Sequence, residues 1–399
     1  MSRIDELVHE LCPDGMEHAG VLDIADYVRG ITYSKNDEDL AGEIQVLRAN
    51  NITLASNTLN FEDVKRVSSH VRVREAQRLR AGDTLICAGS GSRDHIGKVA
   101  YIRENIDPTF GGFMAVLRTT DVRVESRFLF HLLTGERFKA HLDRSLSTST
   151  INNLNASVMR GFRVPVPPLE VQREIVRVLD TFTQLEVELE AELEAELEAR
   201  RAQYEHYRRE LLNGDDAASS HRIPLGEIFE MRAGTHIRSA EISEEPTEEK
   251  PYPCYGGNGL RGYVSSYNYD ASVIFVGRQG ALCGNVHRAE GKIYATEHAV
   301  VVTPKVAVDM SWAFHKLTEM DLNQYKTKSA QPGLAVGRVK QVETQYVPIV
   351  DQRRHGAALD KLDTLVSDII IGLPAELAAR RKQYEHYRDR LLTFKELTA

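Results

Sequence analysis

Three short stretches carry residue types that could support catalysis, and none has the full pattern that its chemistry needs. An enzyme that methylates adenine in DNA holds the flipped base between a polar residue before Pro-Pro and an aromatic residue after it, whereas VPPL at 166–169 has neither. GSGSRDHIG at 89–97 is glycine-rich, but no helix clearly begins at its third glycine and no G-x-x-x-x-G-K-[ST] string occurs. Glu62-Asp63-Val64-Lys65 is too short and common a string to indicate a nuclease.

Metal and cofactor signatures are also missing from the sequence. The 14 histidines are dispersed without an H-E-x-x-H string, and Cys12, Cys87, Cys254 and Cys283 form no C-x-x-C pair. We therefore predict no catalytic residue, no metal site and no cofactor bound by this chain. No apolar run of about 18 residues and no signal peptide occur, so we expect a soluble, cytoplasmic protein.

The net charge of −8 is distributed unevenly along the chain. Residues 65–103 hold nine Lys or Arg against three Asp or Glu, a net charge of +6, and residues 255–340 hold ten against six, a net charge of +4. Residues 170–200 hold three against ten, a net charge of −7. The acidity is thus concentrated in a connector, and two flanking regions are basic.

One peptide occurs twice, as RRAQYEHYRRELL from Arg200 and as RRKQYEHYRDRLL from Arg380. At the same offset, Gln172-Arg173 matches Gln352-Arg353 and Leu179-Asp180 matches Leu359-Asp360, without a gap over about 45 residues. This indicates an internal duplication whose period is the size of one domain plus a connector.

Changes in composition divide the chain into six segments. These are an N-terminal lead at 1–20, a first globular domain at 21–168, a helix at 169–213, a polar linker at 214–222, a second globular domain at 223–348 and a last helix at 349–399. TLICAG at 84–89 and SVIFVG at 272–277 are apolar runs that end in glycine and indicate buried strands. Helical patterns follow in each domain, so we expect α/β or α+β domains with curved β-sheets.

The helix at 169–213 contains ELEAELEAELEA at 188–199, which places a leucine every four residues on one stripe. Its glutamates form like-charge i,i+4 pairs that each cost roughly 0.2–0.5 kcal/mol, so the helix needs a packing partner. The duplicated last helix is the candidate. We expect a long antiparallel coiled-coil spacer with a pseudo-twofold axis, on which the two QYEHYR segments lie together. A coiled coil between two chains is the alternative, and Pro374 predicts a kink or a new start in the last helix.

Two similar, positively biased domains on a rigid rod suit a ligand with two parts. DNA is such a ligand, because half-sites repeat every helical turn of about 34–36 Å. One ELEA unit adds roughly 6 Å to a helix and turns it by about 40°, and one base pair adds about 3.4 Å to a duplex. Adding a unit would thus change both the separation and the phase of the two domains by amounts that DNA can match. We therefore hypothesise that the number of units sets the spacing between two half-sites.

The chain resembles the specificity (S) subunits of type I restriction-modification systems, and is nearest the IC subclass, whose central conserved helix carries short tandem repeats. The likeness rests on VPVPPLEVQREIVRVLD (164–180), the ELEA units, RRAQYEHYRRELL and IGLPAELAARRKQYEHYRDRLLTF (371–394). The globular domains resemble the family's target-recognition domains through LRAGDTLICAGSGS and YGGNGLRGYV.

This resemblance implies two target-recognition domains, each reading one half of a split, asymmetric DNA site. It also implies that the conserved helices bind two methyltransferase (M) subunits, which use S-adenosylmethionine to methylate adenine. Restriction (R) subunits would add translocation and cleavage driven by ATP and Mg²⁺. The chain itself would be a non-catalytic reader and scaffold that binds double-stranded DNA and no membrane.

Contacts with DNA are expected from Arg, Lys, Asn, Gln, Ser and Thr side chains in polar loops, because these groups bond base edges and phosphates. In the first domain the candidates are Arg48, Asn50, Asn51, Ser90, Ser92, Arg93, Lys98, Ser147, Thr148, Ser149 and Asn152. In the second they are Tyr255, Asn258, Arg261, Arg278, Gln279, Lys326, Lys328 and Ser329. Gly256, Gly257 and Gly259 are predicted to form a tight turn, and the acidic stretch at 241–250 is expected to lie away from DNA.

The repeated helix segments supply the candidates for partner binding, at helical spacing on each copy. They are Tyr204, Tyr207, Arg208 and Leu211 with their copies Tyr384, Tyr387, Arg388 and Leu391. Whether these side chains form the core of the rod or a contact surface for the M subunits is open.

Two rival functions are also open. One is a structural coiled-coil scaffold with two lobes that bind carbohydrate or protein rather than DNA, and salt-dependent DNA binding would separate it from the main hypothesis. The other is a single-chain restriction enzyme, which the missing catalytic motifs disfavour.

Overall fold

The structure is a computed structural model of the 399-residue chain, and it describes residues 2–54, 56–92, 95–146, 153–213, 221–280, 282–327 and 332–397. The chain forms two compact units. Unit 1 consists of residues 1–190 and 376–399, and unit 2 consists of residues 191–375. Within the described ranges, no helix combines the length and the apolar character that a membrane span requires.

Unit 1 begins with short helices and strands that precede the first long helix. Its helices are α1 (Arg3–Leu11), α2 (Val21–Ile24), α3 (Ser126–Thr134), α4 (Glu136–Leu146) and α5 (Ala156–Arg160). Its strands are β1 (His18–Gly20), β2 (Ala25–Arg29), β3 (Ile44–Leu47), β4 (Ile52–Thr53), β5 (Thr58–Leu59), β6 (Lys65–Val67), β7 (Thr84–Cys87), β8 (Val99–Tyr101), β9 (Thr109–Phe110), β10 (Met114–Thr119) and β11 (Arg163–Pro165). The predicted strand in TLICAG is therefore confirmed as β7.

The main sheet of unit 1 is antiparallel, with strand order β2-β10-β7-β8, and a smaller sheet of order β6-β3-β9 contains the parallel pair of β3 and β9. Side chains alternate between the two faces of a strand, so β10 contributes to two cores. Ala115 and Leu117 pack with the helices, whereas Met114 and Val116 pack with residues of β3 and β9. The N-terminal lead belongs to the same unit, because the backbone of Met16 bonds that of Lys395 and Leu397.

Unit 2 repeats this plan. Its helices, apart from the long ones, are α7 (Leu225–Ile228), α8 (Met310–Glu319) and α9 (Val336–Val339); α6 (Leu169–Asn213) and α10 (Ile349–Leu391) are the long helices. Its strands are β12 (His221–Pro224), β13 (Phe229–Ala233), β14 (Tyr252–Gly256), β15 (Gly259–Val264), β16 (Tyr269–Asp270), β17 (Val273–Gly277), β18 (Val286–Ala289), β19 (Lys292–Ala295), β20 (Ala299–Pro304) and β21 (Glu343–Tyr346).

The sheet orders show how closely the plans agree. The main sheet of unit 2 has order β13-β20-β17-β18, which corresponds strand by strand to β2-β10-β7-β8. Its second sheet has order β15-β14-β19-β16 and again contains a parallel pair, β14 with β19. Strand β17, predicted from SVIFVG, also divides its side chains between two cores. The predicted similarity of the two domains is thus confirmed in topology.

The long helices α6 and α10 each contribute residues to both units. In unit 1, the Arg381 guanidinium on α10 pairs with Glu186 at 2.9 Å and with Glu190 at 3.1 Å on α6. The rings of Phe182 and Tyr384 are 6.3 Å apart. Contact positions that rise along α6 fall along α10, so this pair is antiparallel, and the partner predicted for the acidic helix is confirmed here.

One expectation about these helices was wrong, and so was part of another. Residues 203–208 belong to unit 2 and residues 383–388 to unit 1, so the two QYEHYR segments are parts of different units, contrary to the expectation that they share one site. Each segment packs within its own unit against the beginning of the other long helix. Helix α10 continues through Pro374, so no new helix starts there, and the predicted kink stays a prediction.

Candidate nucleic-acid interface

A groove in unit 1, here called the first groove, collects several of the predicted DNA contacts. The turn after β3, the loop after β7 and the turn before β10 face one another around a volume of about 1110 Å³. The side chains around it include Tyr33, Arg48, Asn50, Ser90, Phe113 and Asn153. Arg48, Asn50 and Ser90 are therefore brought together as a group that can donate hydrogen bonds to base edges or phosphates.

Asp63 holds the arginine and the asparagine of the first groove in place. Its carboxylate accepts hydrogen bonds from Arg48 Nη2 at 2.8 Å and from Asn50 Nδ2 at 2.9 Å. The Arg48 side chain is half-buried, and its Nε is buried without a hydrogen-bond partner among the described residues. The loop is thus fixed in shape, and Arg48 retains an unused donor.

A second groove, in unit 2, has a volume of about 740 Å³ and lies between the β14–β15 hairpin and the loop after β17. It brings together Asn258, Arg261 and Gln279 from the predicted set, and His298 in addition. The Arg261 guanidinium bonds Ser239 Oγ at 2.8 Å, which leaves most of its donors free for a ligand. The predicted tight turn is confirmed, because Gly256 pairs with Gly259 across Gly257 and Asn258, and Gly259 has a φ of 88°.

The two grooves occupy the same place in the repeated fold. In unit 1 the N–H of Ala88 bonds the carbonyl oxygen of Phe113 at 2.8 Å, and in unit 2 the N–H of Arg278 bonds that of His298 at 2.8 Å. Gly89 pairs next with Asn153, and Gln279 pairs with Gly333. The duplication therefore extends to the backbone hydrogen bonds that shape the grooves.

A buried glutamine joins the sheet-containing part of each unit to the long helix that follows it. In unit 1, Gln172 accepts a hydrogen bond from the Glu125 N–H at 2.9 Å and donates one to the Pro167 carbonyl at 2.6 Å. In unit 2, Gln352 accepts from the Asp309 N–H at 2.9 Å and donates to the Val347 carbonyl at 2.8 Å. Because each amide satisfies groups on both sides of the junction, the orientation of the long helix on its own unit is fixed.

A histidine–aspartate pair reinforces each junction. His131 Nε2 lies 2.9 Å from Asp180 Oδ1 in unit 1, and His315 Nε2 lies 3.0 Å from Asp360 Oδ1 in unit 2. Burial lowers the pKa of both histidines, although the carboxylates oppose it. Burial would raise the pKa of Asp180, but hydrogen bonds from His131 and Arg127 outweigh it and hold that pKa at about 2.

The repeated tyrosines divide between two faces of the long helices. Tyr204 bonds His315 Nδ1 through its hydroxyl at 3.1 Å, and the Tyr384 hydroxyl lies 3.4 Å from Thr183 Oγ1. Tyr207 and Tyr387, one turn further along, are 41% and 42% exposed. Leu211 and Leu391 pack partly against the two cores. The first tyrosine of each copy is therefore part of a core, and the second faces outward.

Comparison with known proteins identifies the family. The family model described as "Type I restriction modification DNA specificity domain" matches residues 13–199 and 221–379. The chain belongs to this specificity-domain family. Among curated relatives, the EcoprrI type I specificity subunit of Escherichia coli is 47% identical over 235 residues, which is 57% of this chain and 58% of that relative. The chain thus matches somewhat over half the length of that relative.

A second curated relative and two solved structures agree. The putative type I specificity subunit S.HindORF215P of Haemophilus influenzae is 32% identical over 298 residues, covering 68% of this chain and 73% of the relative. A chain from a structure of the type I R-M system has a TM-score of 0.71 at 17% identity, covering 95% of this chain and 97% of the other. The HsdS subunit from Thermoanaerobacter tengcongensis has a TM-score of 0.61 at 15% identity, covering 96% and 97%. These two structures show that the fold is shared.

Several predicted contacts of this specificity-domain chain do not face a groove. Asn51 is fully buried; its amide donates to the carbonyls of Asn60 and Asp63 and shapes the turn after β3. Lys98 is also buried. The prediction that these two side chains contact DNA does not fit their burial. Tyr255 packs against Phe275, with ring centroids 4.8 Å apart and ring planes tilted by 39°, and does not line the second groove.

The other predicted side chains have the following places in this specificity-domain chain. Ser92 is exposed beside Ser90, Arg278 lies at the start of the loop that lines the second groove, and Lys326 bonds Asn323 at 2.9 Å from an exposed position. Arg208 is half-buried, with its guanidinium 5.3 Å from the Tyr204 ring centroid. Arg388 is buried and bonds Asp389 at 3.2 Å, so it is not an outward contact. Arg93, Ser147, Thr148, Ser149, Asn152, Lys328 and Ser329 lie outside the described residues.

Sequence reasoning missed three features of the grooves. Phe113 and His298 line the two grooves but were not predicted, because each directly precedes an apolar strand, β10 or β20, rather than lying within a polar loop. Asp63 was considered only as part of a nuclease string. The paired glycines before Phe113, Gly111 and Gly112, were the available signal for a turn at that position.

Proposed function

We propose that this chain reads DNA sequence for a type I restriction-modification complex, with each groove reading one half of a bipartite, asymmetric site. The observation that carries the proposal is the pair of equivalent grooves. Each lies at the same place in a duplicated fold, and each gathers arginine and amide side chains that can bond base edges. The family's description and the names of the relatives, which are specificity subunits, support the same function.

The differences between the grooves favour an asymmetric site. Arg48 and Asn50 stand close together in the first groove, on one carboxylate, whereas Asn258, Arg261 and Gln279 surround the glycine turn of the second. Arginine pairs well with guanine and the amides pair well with adenine, so the two sets present different patterns of donors and acceptors. The two grooves would therefore prefer different base sequences.

The chemistry of the complex would lie in partner subunits. We propose that two M subunits supply S-adenosylmethionine-dependent methylation of adenine, and that R subunits supply cleavage driven by ATP and Mg²⁺. The chain would contribute sequence reading and assembly, as a non-catalytic, cytoplasmic subunit. Its assignment to the IC subclass and the six segment boundaries given above stay predictions.

The outward tyrosines Tyr207 and Tyr387 are the proposed anchors for the M subunits. Each is an exposed aromatic side chain on a rigid helix, a type of residue that is enriched in the energetic centres of interfaces. Substituting either one to alanine should weaken binding of one M subunit by about 2 kcal/mol, close to 30-fold. Val350→Ala, which alters another exposed apolar side chain of α10, is the control and should leave assembly unchanged.

The decisive experiment determines the DNA motif that the assembled methyltransferase complex binds and methylates. A motif in two parts, with a fixed gap, is expected. Arg48→Ala should relax base preference in one half only and Arg261→Ala in the other half only, each by roughly 10-fold at the affected position. A wild-type complex that binds DNA without a two-part motif, or that does not bind DNA in a salt-dependent manner, would contradict the proposal.

The acidic helix offers a separate test of the proposed spacer function. Deleting one ELEA unit from α6 removes four residues, which shortens a helix by about 6 Å and changes its phase by about 40°. The gap of the DNA motif should change while both half-site sequences stay the same. An unaltered gap would show that the helix does not set the spacing.

A further inference from the structure

Phe113 is an exposed aromatic side chain at the edge of the first groove. It is 74% exposed although phenylalanine is normally among the most buried residue types. Polar side chains of Arg48, Asn50 and Ser90 line the groove beside it, together with the apolar Ile31. A single exposed apolar residue is ordinary on a protein surface, but Phe113 lies at the edge of a groove whose arginine and asparagine can bond DNA.

The backbone that carries Phe113 is held on both sides. The carbonyl oxygen of Phe113 accepts hydrogen bonds from the N–H groups of Ala88 at 2.8 Å and Gly89 at 2.9 Å. Arg29 Nη2 donates to the carbonyl of Gly112 at 2.8 Å. A side chain at Gly89 would begin 3.0 Å from the Phe113 ring, so the glycine leaves room for the ring to rest on the backbone. The ring is therefore presented by a rigid turn.

The same position in unit 2 carries a histidine. The N–H of Met114 bonds the carbonyl of Gly111 at 2.7 Å in one turn, and the N–H of Ala299 bonds that of Thr296 at 3.0 Å in the other. These bonds align Phe113 with His298, and both line their grooves. The histidine can exchange hydrogen bonds with a base edge, whereas the phenylalanine cannot.

We propose that Phe113 determines base specificity in the first half-site by packing against the 5-methyl group of a thymine, and that His298 fills the corresponding position of the second half-site with a hydrogen-bonding side chain. This inference rests on the proposed function of the grooves. The thymine methyl is the apolar feature that distinguishes bases in the major groove, and phenylalanine is among the side chains that contact it. A rigid turn suits this contact, because little conformational entropy is lost on binding.

The test uses the complex of this chain with its methyltransferase subunits, and selects binding sites from randomised duplex DNA. The wild-type complex should prefer thymine at one position of the first half-site. Phe113→Ala should reduce that preference about 10-fold and leave the second half-site unchanged, whereas Phe113→Tyr, which keeps the ring, should retain it. Deoxyuridine lacks the 5-methyl group, so placing it at that position should weaken DNA binding by the wild-type complex. It should not further weaken DNA binding by the Phe113→Ala complex.

Val122→Ala is the matched control, because Val122 is 89% exposed in the same unit and does not line the groove. It should leave every base preference unchanged. A two-part wild-type motif that Phe113→Ala does not alter, or alters equally at all positions, would overturn this inference and leave the proposed function intact. A wild-type complex without a two-part motif would overturn both.

Discussion

Gln172 in unit 1 and Gln352 in unit 2 make the same two kinds of hydrogen bond, to an N–H ahead of a helix and to a carbonyl just before the long helix. A glycine is also shared. A Cβ at Gly30 would collide with the backbone of Phe110 and Gly111, and a Cβ at Gly234 would collide with that of Ala295. The two halves therefore share the contacts that join sheet, turn and helix.

The halves differ where an arginine neutralises the junction aspartate. In unit 1, Arg127 comes from helix α3, bonds Asp180 at 2.8 Å and stacks 4.5 Å from the Phe130 ring centroid. In unit 2, Arg288 comes from strand β18 and bonds Asp360 at 2.6 Å, and its guanidinium lies 4.5 Å from the ring centroid of Phe314. The same charge reaches the same place from two different elements. The interaction has been retained although its sequence position has not.

The grooves differ most. The first presents Phe113 beside Arg48 and Asn50, and the second presents His298 beside Glu297 and His236. Burial would raise the pKa of Glu297, but a hydrogen bond from His236 helps to keep it lowered and the carboxylate charged. The two halves thus share a constant frame and differ in their grooves, which is what the proposed recognition of two unlike half-sites requires.

The largest effect is expected from removing the shared glutamines. Gln172→Ala and Gln352→Ala should each lower the free energy of unfolding of their own unit by about 3 kcal/mol, because each leaves a part-buried N–H and a buried carbonyl without this partner. Denaturant unfolding, followed by hydrogen exchange within each unit, measures the change. Gln203→Ala, at an exposed position on α6, should change stability by less than about 0.5 kcal/mol.

Equal losses in the two units would support the equivalence of the junctions. A loss of less than about 1 kcal/mol in one unit alone would show that the second glutamine is a structural copy without the same energetic role.

The glutamines also illustrate what the sequence made predictable. The matching Gln-Arg and Leu-Asp dipeptides of the two long helices indicated the duplication. Apolar runs located β7 and β17, because local composition and periodicity determine such strands. The groove at Phe113 was not predictable in this way. It arises from backbone bonds between residues 88–89 and 113, which are distant in sequence, and the exposed state of Phe113 contradicts the usual burial of its residue type. Which element supplies the arginine at each junction could not be predicted either, because that contact also joins residues that are distant in sequence.

Arg127→Ala and Arg288→Ala provide a sharper comparison with a smaller effect. Arg127 has a side chain that is 12% exposed and stacks on two rings, so its loss should cost about 2 kcal/mol in unit 1. The Arg288 side chain is 39% exposed, and solvent screens its pair with Asp360, so its loss should cost about 1 kcal/mol or less in unit 2. Denaturant unfolding, followed by hydrogen exchange within each unit, measures both changes in the free energy of unfolding. Arg177→Ala, which removes an exposed ion pair with Glu174, serves as the control.

The smallest effect concerns pH, and it depends on the two junction histidines. Burial lowers the pKa of His131 and of His315, so each folded unit resists protonation that the unfolded chain accepts near pH 6.5. Stability is therefore complete above about pH 6.5 and declines as the pH falls below it, by at most about 1.4 kcal/mol per pH unit for each histidine. The lowered pKa of Asp180 acts in a different pH window, because the stability that this carboxylate contributes is lost only between about pH 4 and 2.

His131→Gln should flatten the decline in stability between pH 7 and 5 in unit 1, and His315→Gln should do so in unit 2. His206→Gln, at an exposed position, should not change the decline. Since Tyr204 bonds Nδ1 of His315 while Nδ1 of His131 is buried without a hydrogen-bond partner among the described residues, an identical pH response of the two units would show that this asymmetry is energetically unimportant.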